Sequence, residues 1–383
     1  MEKIELCERN NCTGCFACFS ACPAACIAMK EDKEGFLYPV IDETRCLSCG
    51  LCRKVCPVLS EKKKASSPAA KASYAKDETL REESSSGGVF SVLAESVLER
   101  GGVVFGAAFN EGMELCHVAV EKMEDLALLR GSKYVQSRIG DAFSLAKRYL
   151  EQGRGVLFSG TPCQIGGLKS FLNREYDNLI TVDVICHGVP SPLAWAQYLR
   201  SREKKGRKVK KVSFRHKKLG WKKYGIRLDF QKGKPYFAPL DRDPYLRGFL
   251  ADLYLRPSCY ACSCKGNAPA ADLTLADFWG VEKILPQWND DRGVSLILVH
   301  SEQGKALLEK SCGKRITVDI DAEKALRYNG AYYASPSKPQ AREKVLKLIS
   351  ETDFDRAIRR LYPRKTLLQR AFRKLLRLFG KSR

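Results

Sequence analysis

A repeated cysteine motif near the N-terminus restricts the fold of this chain more than any other feature. Cys12-x2-Cys15-x2-Cys18-x3-Cys22-Pro23 recurs 34 residues later as Cys46-x2-Cys49-x2-Cys52-x3-Cys56-Pro57. This spacing binds paired [4Fe–4S] clusters, because three thiolates of one tight loop and the last cysteine of the other loop hold each cluster. Structural zinc sites use separate Cys-x2-Cys pairs instead. The repeat therefore predicts two [4Fe–4S] clusters.

The repeat also divides the ligands between the two clusters. One quartet is Cys12, Cys15, Cys18 and Cys56, and the other is Cys22, Cys46, Cys49 and Cys52. Apolar residues alternate at Phe36, Tyr38 and Val40 between the motifs, which predicts a short β-hairpin. Cys7 and Cys26 lie outside the pattern and are interpreted as small buried thiols. Residues 1–60 are therefore expected to form a bacterial-type two-cluster ferredoxin domain.

The number of cysteines and the first residues of the chain indicate a reducing compartment. The chain has 17 cysteines in 383 residues, and its opening segment, MEKIELCERNNC, contains no apolar leader. Cysteines in such a chain are more often metal ligands than disulfide partners. No apolar run approaches the ~18–20 residues needed to cross a bilayer. We therefore expect a cytoplasmic protein.

Four further regions are predicted after the ferredoxin domain. Small and polar residues indicate a linker over 61–73. Apolar runs typical of buried strands alternate with helical stretches over 74–205, which predicts an α/β domain with a largely parallel sheet. Residues 206–362 predict a mixed α+β domain, and residues 363–383 predict a basic amphipathic helix. The expected fold class of the whole chain is therefore α+β.

A second set of cysteines follows the predicted buried strands. Cys163 and Cys186 each come after such a strand, and parallel strands end at the same edge of a sheet. Cys259 and Cys262 add a Cys-x2-Cys pair in a predicted loop. These four residues predict a third metal centre, with scattered core cysteines as the alternative on spacing alone. Cys264 is a further candidate that could replace one of the four.

Two polar segments are candidate anion sites. Ser85-Ser86-Gly87-Gly88 precedes a predicted helix, so its hydroxyl and N–H groups indicate either a phosphate site or an ordinary helix N-cap. Ser132, Lys133 and Tyr134 lie in a segment dense in donors that suits an anion or a flavin ring. The sequence has neither a Gly-x-Gly-x-x-Gly fingerprint nor a Walker A loop, which disfavours a Rossmann dinucleotide site and a P-loop.

Five motifs occur in order in the chain: SSSGGVFSVLA, GSKYVQS, GTPCQIGGLK, VICHGVPSP and RPSCYAC…ADLTLADFWG. Over residues 1–330 the sequence resembles the coenzyme F420 hydrogenase/dehydrogenase beta-subunit family, in which a two-cluster ferredoxin domain is often fused in front. The resemblance implies an iron–sulfur flavoprotein, with FAD on the α/β domain and a third [4Fe–4S] cluster near it. The FAD contacts that it implies are Ser85, Ser86, Gly87, Gly88, Ser132, Lys133 and Tyr134. The third-cluster ligands that it implies are Cys163, Cys186, Cys259 and Cys262.

The function that follows from the resemblance is that of an oxidoreductase. Electrons would pass between a ferredoxin-type or deazaflavin donor and a substrate through the [4Fe–4S] clusters and FAD. The alternative is an electron-transfer subunit that feeds a separate catalytic chain. Similar proteins encoded near surface-polysaccharide genes make that metabolism one source of the substrate. His187 is a candidate proton donor, with hydrogen bonding to neighbouring groups as its alternative role.

The net charge of +22 is concentrated in two segments. Residues 200–223 contain 13 Lys and Arg against one Glu, and residues 364–383 contain eight and no acid. Such localised charge, without a nucleic-acid module, disfavours specific nucleic-acid binding. The first segment is interpreted as a site for an acidic ferredoxin or an anionic substrate, or as a solvated hairpin. The second includes Thr366–Phe379, a basic amphipathic helix that would lie on the inner face of the membrane or dock on a protein surface.

Overall fold

The computed structural model describes residues 4–60, 68–203, 206–266 and 271–362. The strands in these ranges are β1 Ile27–Glu31, β2 Leu37–Ile41, β3 Ala69–Ala75, β4 Val103–Phe109, β5 Leu115–Val120, β6 Val156–Ser159, β7 Leu179–Val184, β8 Val209–His216, β9 Gly225–Phe230, β10 Tyr236–Pro239, β11 Leu273–Asp277, β12 Ser295–Val299 and β13 Arg315–Ile320. The helices are α1 Ala17–Ala21, α2 Leu51–Lys54, α3 Glu78–Glu83, α4 Val89–Leu98, α5 Ala142–Glu151, α6 Pro162–Leu172, α7 Pro192–Arg202, α8 Pro244–Leu250, α9 Val281–Ile284, α10 Glu302–Lys310, α11 Ala322–Leu326, α12 Gly330–Tyr333, α13 Arg342–Glu351 and α14 Phe354–Leu361.

The two N-terminal cysteine loops share one backbone shape. Each loop leads into a short helix, α1 or α2, and the predicted hairpin is confirmed as antiparallel β1–β2. Gly14 and Ser48 both have positive φ, as do Phe16 and Gly50, and the members of each pair are 34 residues apart. Each loop has glycine at only one of these two left-handed positions. The two loops therefore share a backbone conformation even where their residue types differ.

An eight-stranded sheet organises most of the chain, in the order β13-β3-β12-β11-β7-β6-β4-β5. Strands β4, β6, β7 and β11 pair in parallel, so their C-terminal ends lie at one edge. The other four pairings are antiparallel. The prediction of a largely parallel sheet therefore holds only for the centre, since the chain adds antiparallel strands on both sides.

Two predicted boundaries are wrong. Strand β3 lies in the predicted linker 61–73, of which 61–67 is outside the described residues. Its small side chains were typical of a linker, but Ala70 and Ala72 are buried where β3 pairs with both β12 and β13. The predicted division between 74–205 and 206–362 also fails, because β11, β12 and β13 belong to the same sheet as β4 to β7. Within 206–362, β8, β9 and β10 form a separate three-stranded sheet.

The ferredoxin domain packs on the face of the large sheet that α5 and α6 cover. Helices α4 and α10 lie on one face of the sheet, while α5 and α6 lie on the other face. Helix α1 packs against α6, and Phe16 enters the same apolar core as Phe105 and Phe158. A Cβ atom at Gly167 of α6 would lie 2.9 Å from Cβ of Cys15. Glycine at this position therefore lets α6 approach the first cysteine loop closely.

The described part of the chain contains no helix that is both long enough and apolar enough to cross a membrane. The predicted amphipathic helix Thr366–Phe379 and the whole segment 363–383 lie outside the described residues.

Candidate functional site

The first cysteine group consists of Cys12, Cys15, Cys18 and Cys56. Burial raises the pKa of Cys18, and repulsion from Cys15, Cys12 and Cys56 raises it further, because the four thiols lie near one another. Backbone N–H groups of Gly14 and Ala17 donate hydrogen bonds to the sulfur atoms of Cys12 and Cys15. Burial raises the pKa of Cys15 to about 11. Such thiols become thiolates when metal binding compensates the burial of their charge.

The second cysteine group consists of Cys22, Cys46, Cys49 and Cys52, which line one small cavity. The remaining wall is largely apolar, with Ile27, Ile41 and Leu47 among its residues. The Cys49 side chain is exposed, so this group reaches the protein surface. No charged side chain is among the described residues that line the cavity.

Both cysteine groups fit [4Fe–4S] clusters by the chemistry of their donors. No three described His, Cys, Asp or Glu side chains converge closely enough to hold a single metal ion. A cubane is instead bound at four separate iron atoms, so its thiolates surround a volume. The observed grouping of four sulfur atoms with backbone N–H donors is typical of such a site.

Cys7 and Cys26, which the motif leaves out, lie beside the two cysteine groups. Cys7 hydrogen-bonds with Cys12 and Cys56, and these bonds raise its own pKa. The Sγ atoms of Cys22 and Cys26 are 3.3 Å apart. Cys26 is buried as predicted, but Cys7 is only partly buried. Sequence spacing gave no sign of either contact, because both depend on how the loops fold back on each other.

The third set of cysteines is brought together at the C-terminal edge of the parallel strands. One cavity is lined by Cys163, Cys186, Cys259, Cys262 and Cys264. Backbone N–H groups of Val189 and Cys264 donate to the Sγ atoms of Cys259 and Cys262, each at 3.4 Å. Burial raises the pKa of Cys186 to about 12 and that of Cys259 to about 11. The ligand set stays a prediction, with Cys264 as near the cavity as the other four.

Helix α6 begins at Pro162, which places Cys163 in its first turn. Gln164 Oε1 accepts a hydrogen bond from the Thr161 N–H at 2.9 Å. Thr161 at the N-cap, Pro162 at N1 and Gln164 at N3 are a recognisable helix start in the sequence. Cys163 is therefore held by a rigid helix and not by a loop.

A larger cavity of about 610 Å³ lies on the other side of Cys186. It is lined by Ser85, Ser86, Gly88, Ser132, Lys133 and Tyr134, and also by His187. Ser85 Oγ accepts a hydrogen bond from the Ser132 N–H at 2.7 Å, which joins the two predicted anion-binding segments. The volume is within the range of small-molecule and cofactor sites.

Two of the predicted FAD contacts have other roles in the structure. Gly87 is buried and is not among the described residues that line the cavity. Its N–H donates a hydrogen bond to Ser295 Oγ at 3.0 Å. Lys133 lines the cavity, but its ammonium donates to the carbonyls of Leu129, Arg130 and Gly131. Burial lowers the pKa of Lys133 to about 7. Lys133 thus stabilises its own turn, so its charge is not directed freely at a ligand.

Gly87→Val is expected to destabilise the fold and not simply to block a ligand. A Cβ atom at this position would lie 2.5 Å from the Ser73 carbonyl oxygen and 2.8 Å from the Ser295 nitrogen. The valine would force β3 and β12 away from the loop, at a cost of about 1–3 kcal/mol in the free energy of unfolding. Thermal unfolding measures the effect, and Gly313→Val is the control because a Cβ there meets open space. Equal melting temperatures for both variants would contradict the expectation.

His187 lies in the wall between the two cavities. Its Nε2 atom is 2.6 Å from Asp252 Oδ1, and its ring packs edge-on against Phe249. The carboxylate fixes the orientation of the imidazole ring. His187 therefore makes a hydrogen bond to a neighbouring group, which is the alternative role given above. Its role as a proton donor stays a prediction.

Many charges of the basic segment 200–223 are used inside the protein. Arg215 forms a two-point ion pair with Asp277, with N–O distances of 2.7 and 3.2 Å. Lys217 donates to the backbone carbonyls of Arg81, Ser86 and Arg292, and burial lowers its pKa to about 8. These two residues support the large cavity, so they do not form a free surface for an acidic partner.

The fold and the cysteine groups together are those of an iron–sulfur protein with a ferredoxin-type domain. The chain belongs to the coenzyme F420 hydrogenase/dehydrogenase beta-subunit family. Residues 70–143 match the family described as "Coenzyme F420 hydrogenase/dehydrogenase, beta subunit N-term", and residues 153–323 match the corresponding C-terminal family. Residues 11–59 match the 4Fe-4S dicluster domain, which confirms the ferredoxin-type domain.

Two curated relatives share part of the chain. A coenzyme F420-dependent sulfite reductase of Methanocaldococcus jannaschii is 27% identical over 203 residues, which cover 51% of this chain and 30% of that protein. NADH-quinone oxidoreductase subunit I 2 of Geobacter metallireducens is 39% identical over 56 residues, which cover 13% of this chain and 43% of that protein. The chain thus spans less than half the length of either relative.

Among solved structures, a chain of the F420-reducing [NiFe] hydrogenase complex from Methanosarcina barkeri superposes with a TM-score of 0.46 at 17% identity. The superposition covers 77% of this chain and 91% of the hydrogenase chain.

Proposed function

We propose that the chain is an iron–sulfur flavoprotein oxidoreductase that moves electrons between a ferredoxin-type or deazaflavin donor and a substrate. The observation that carries the proposal is a shared wall: Cys186 and His187 line both the third cysteine cavity and the large cavity. A redox centre in the first cavity would lie directly beside a ligand bound in the second. The name of the coenzyme F420-dependent curated relative supports a deazaflavin as one electron donor.

The cysteine groups form a sequence of neighbouring sites from the surface to the large cavity. The second group is exposed at Cys49, while the first group contacts α6 at Gly167. Helix α6 in turn carries Cys163 of the third group in its first turn. When bound, [4Fe–4S] clusters would carry single electrons and FAD would collect two of them.

The residues of the large cavity suit the binding of a dinucleotide cofactor. The loop at Ser85 and the loop at Ser132 are held together, and Gly88 begins α4 with φ of 84°. The start of a helix favours phosphate, because the helix dipole adds about half a positive charge there. His187, oriented by Asp252, lies where a proton could pass to a bound substrate.

Anaerobic purification with iron, sulfide and flavin analysis tests the proposed function. Three clusters and one flavin predict about twelve iron atoms, about twelve sulfides and about one FAD per chain. Substrate-dependent reoxidation of the reduced flavin by the isolated chain would support an enzyme. Full iron content without FAD would refute the flavoprotein assignment and favour an electron-transfer subunit.

A further inference from the structure

A buried arginine connects two of the cysteine groups. Arg256 is fully buried, and it precedes Cys259 by three residues. Its carbonyl accepts a hydrogen bond from the Cys259 N–H at 2.9 Å. Its side chain extends in the opposite direction into the ferredoxin domain, where Nε donates to the Cys12 carbonyl at 2.8 Å and Nη2 lies 3.8 Å from Cys12 Sγ. One residue therefore contacts a cysteine of the first group and the backbone of the third.

The guanidinium of Arg256 has no carboxylate partner among the described residues. Its other hydrogen bonds go to Gln136 Oε1 at 2.9 Å and to the Leu37 carbonyl at 3.0 Å. The ring of Tyr38 lies 4.2 Å from the guanidinium carbon. A buried cation without a counter-charge is strongly unfavourable, because its hydration is lost and no anion replaces it. An anionic cluster held by Cys12 would supply the missing negative charge.

Arg342 makes a useful contrast at the same junction. It is also buried and also reaches the ferredoxin domain, with Nη1 and Nη2 at 3.0 and 2.6 Å from the two carboxylate oxygens of Glu34. Its charge is therefore neutralised locally, and its described hydrogen bonds do not reach a cysteine. Arg342 joins the domains, while Arg256 also brings an uncompensated positive charge to Cys12.

We infer that Arg256 raises the reduction potential of the cluster bound by the first cysteine group. Within the ferredoxin domain, the electron would then reside preferentially on this cluster and not on the cluster of the second group. Reduction adds one electron and one negative charge to that cluster, and the fixed guanidinium stabilises the added charge. No bond is made or broken in this step. The cavity of the second cysteine group has no charged side chain among its described lining residues, so the effect is selective.

This inference rests on the proposed function only for the role of Cys12 as a cluster ligand. Gln136 offers a nearly isosteric test, because Gln136→Glu would place a carboxylate against the guanidinium and neutralise it. Gln136→Leu is the matched control, since it also removes the Gln136 hydrogen bond to the Thr13 carbonyl but adds no charge. The double variant Arg342→Gln with Glu34→Gln is a second control, because it weakens the domain junction and removes its two opposite charges together.

The measurement is an anaerobic redox titration of the full-length holoprotein, followed by electron paramagnetic resonance. In Gln136→Glu, the affinity of one N-terminal cluster for the electron is expected to fall about tenfold. For a one-electron couple, this corresponds to a decrease of about 59 mV in its reduction potential. The potential of the other cluster, and the potentials of both clusters in Gln136→Leu and in the Arg342→Gln, Glu34→Gln double variant, are expected to stay close to wild type. Equal shifts in Gln136→Glu and Gln136→Leu, or no shift in either, would overturn the inference. A wild-type protein without iron at the first cysteine group would instead refute the proposed function.

Discussion

Cys186→Ser is expected to lower the iron content of the purified chain by about four atoms, from about twelve to about eight. Cys186 follows β7 at the edge where the parallel strands end, and it lines the cavity with Cys163, Cys259 and Cys262. A serine hydroxyl does not ionise at neutral pH, so it is a poor substitute for a thiolate ligand. Iron and sulfide analysis after anaerobic purification measures the loss.

The expected loss is specific to the third cysteine group. Cys116 on β5 belongs to none of the three cysteine groups and is not among the described residues that line the two cysteine cavities, so Cys116→Ser should retain all the iron. Cys264→Ser decides whether the fifth cysteine at this cavity is a ligand or a spare. A folded Cys186→Ser variant with wild-type iron content would show that the third group does not bind a cluster.

The cluster-binding loops could be predicted from the sequence because their chemistry is local. Three ligands lie within seven residues, so spacing alone restricts the loop geometry. The pairing of Cys56 with the first loop also follows from the repeat, and the structure brings these residues together. The contacts of Cys7 and Cys26 could not be predicted, because they arise from chain folding and not from spacing.

The extent of the large sheet was harder to predict for a physical reason. Ala69–Ala75 has small side chains and carries little apolar signal, although two neighbouring strands cover it. Strands β11 to β13 are separated in sequence from β4 to β7 by the small sheet β8–β10. Sequence periodicity identifies each strand but not the strands with which it pairs. The predicted domain boundary at residue 205 therefore could not take account of strand pairing.

Residues of the candidate site that lie in contiguous motifs could be predicted from the sequence. A side chain that reaches across the domain junction could not. Ser85 and Ser132 were both identified and lie together through one hydrogen bond. Arg256 was missed, since an arginine before a Cys-x2-Cys pair gives no sign in sequence that it will reach Cys12. The resemblance implies Gly87 as an FAD contact, whereas its lack of a side chain allows the close contact with Ser295.

Ser85→Phe is expected to reduce bound FAD from about one per chain to nearly none, while the iron content stays at the wild-type level. Ser85 is partly exposed and borders the large cavity, so a phenylalanine side chain has room there and would occupy ligand space. The change also removes the hydroxyl that accepts the Ser132 N–H, which loosens the two proposed phosphate-binding loops from each other. Flavin fluorescence after denaturation, measured with iron content on the same sample, gives both quantities.

Ser350→Phe is the matched control, because Ser350 is exposed and is not among the described residues that line the large cavity. Lys133→Ala should weaken flavin binding only modestly, since its ammonium is already bonded to three carbonyls. A strong loss of FAD in Lys133→Ala would mean that its charge turns toward the ligand on binding. If Ser85→Phe holds as much FAD as wild type, the flavin does not occupy the large cavity. Electrons that reach the third cysteine group would then leave the chain by another route.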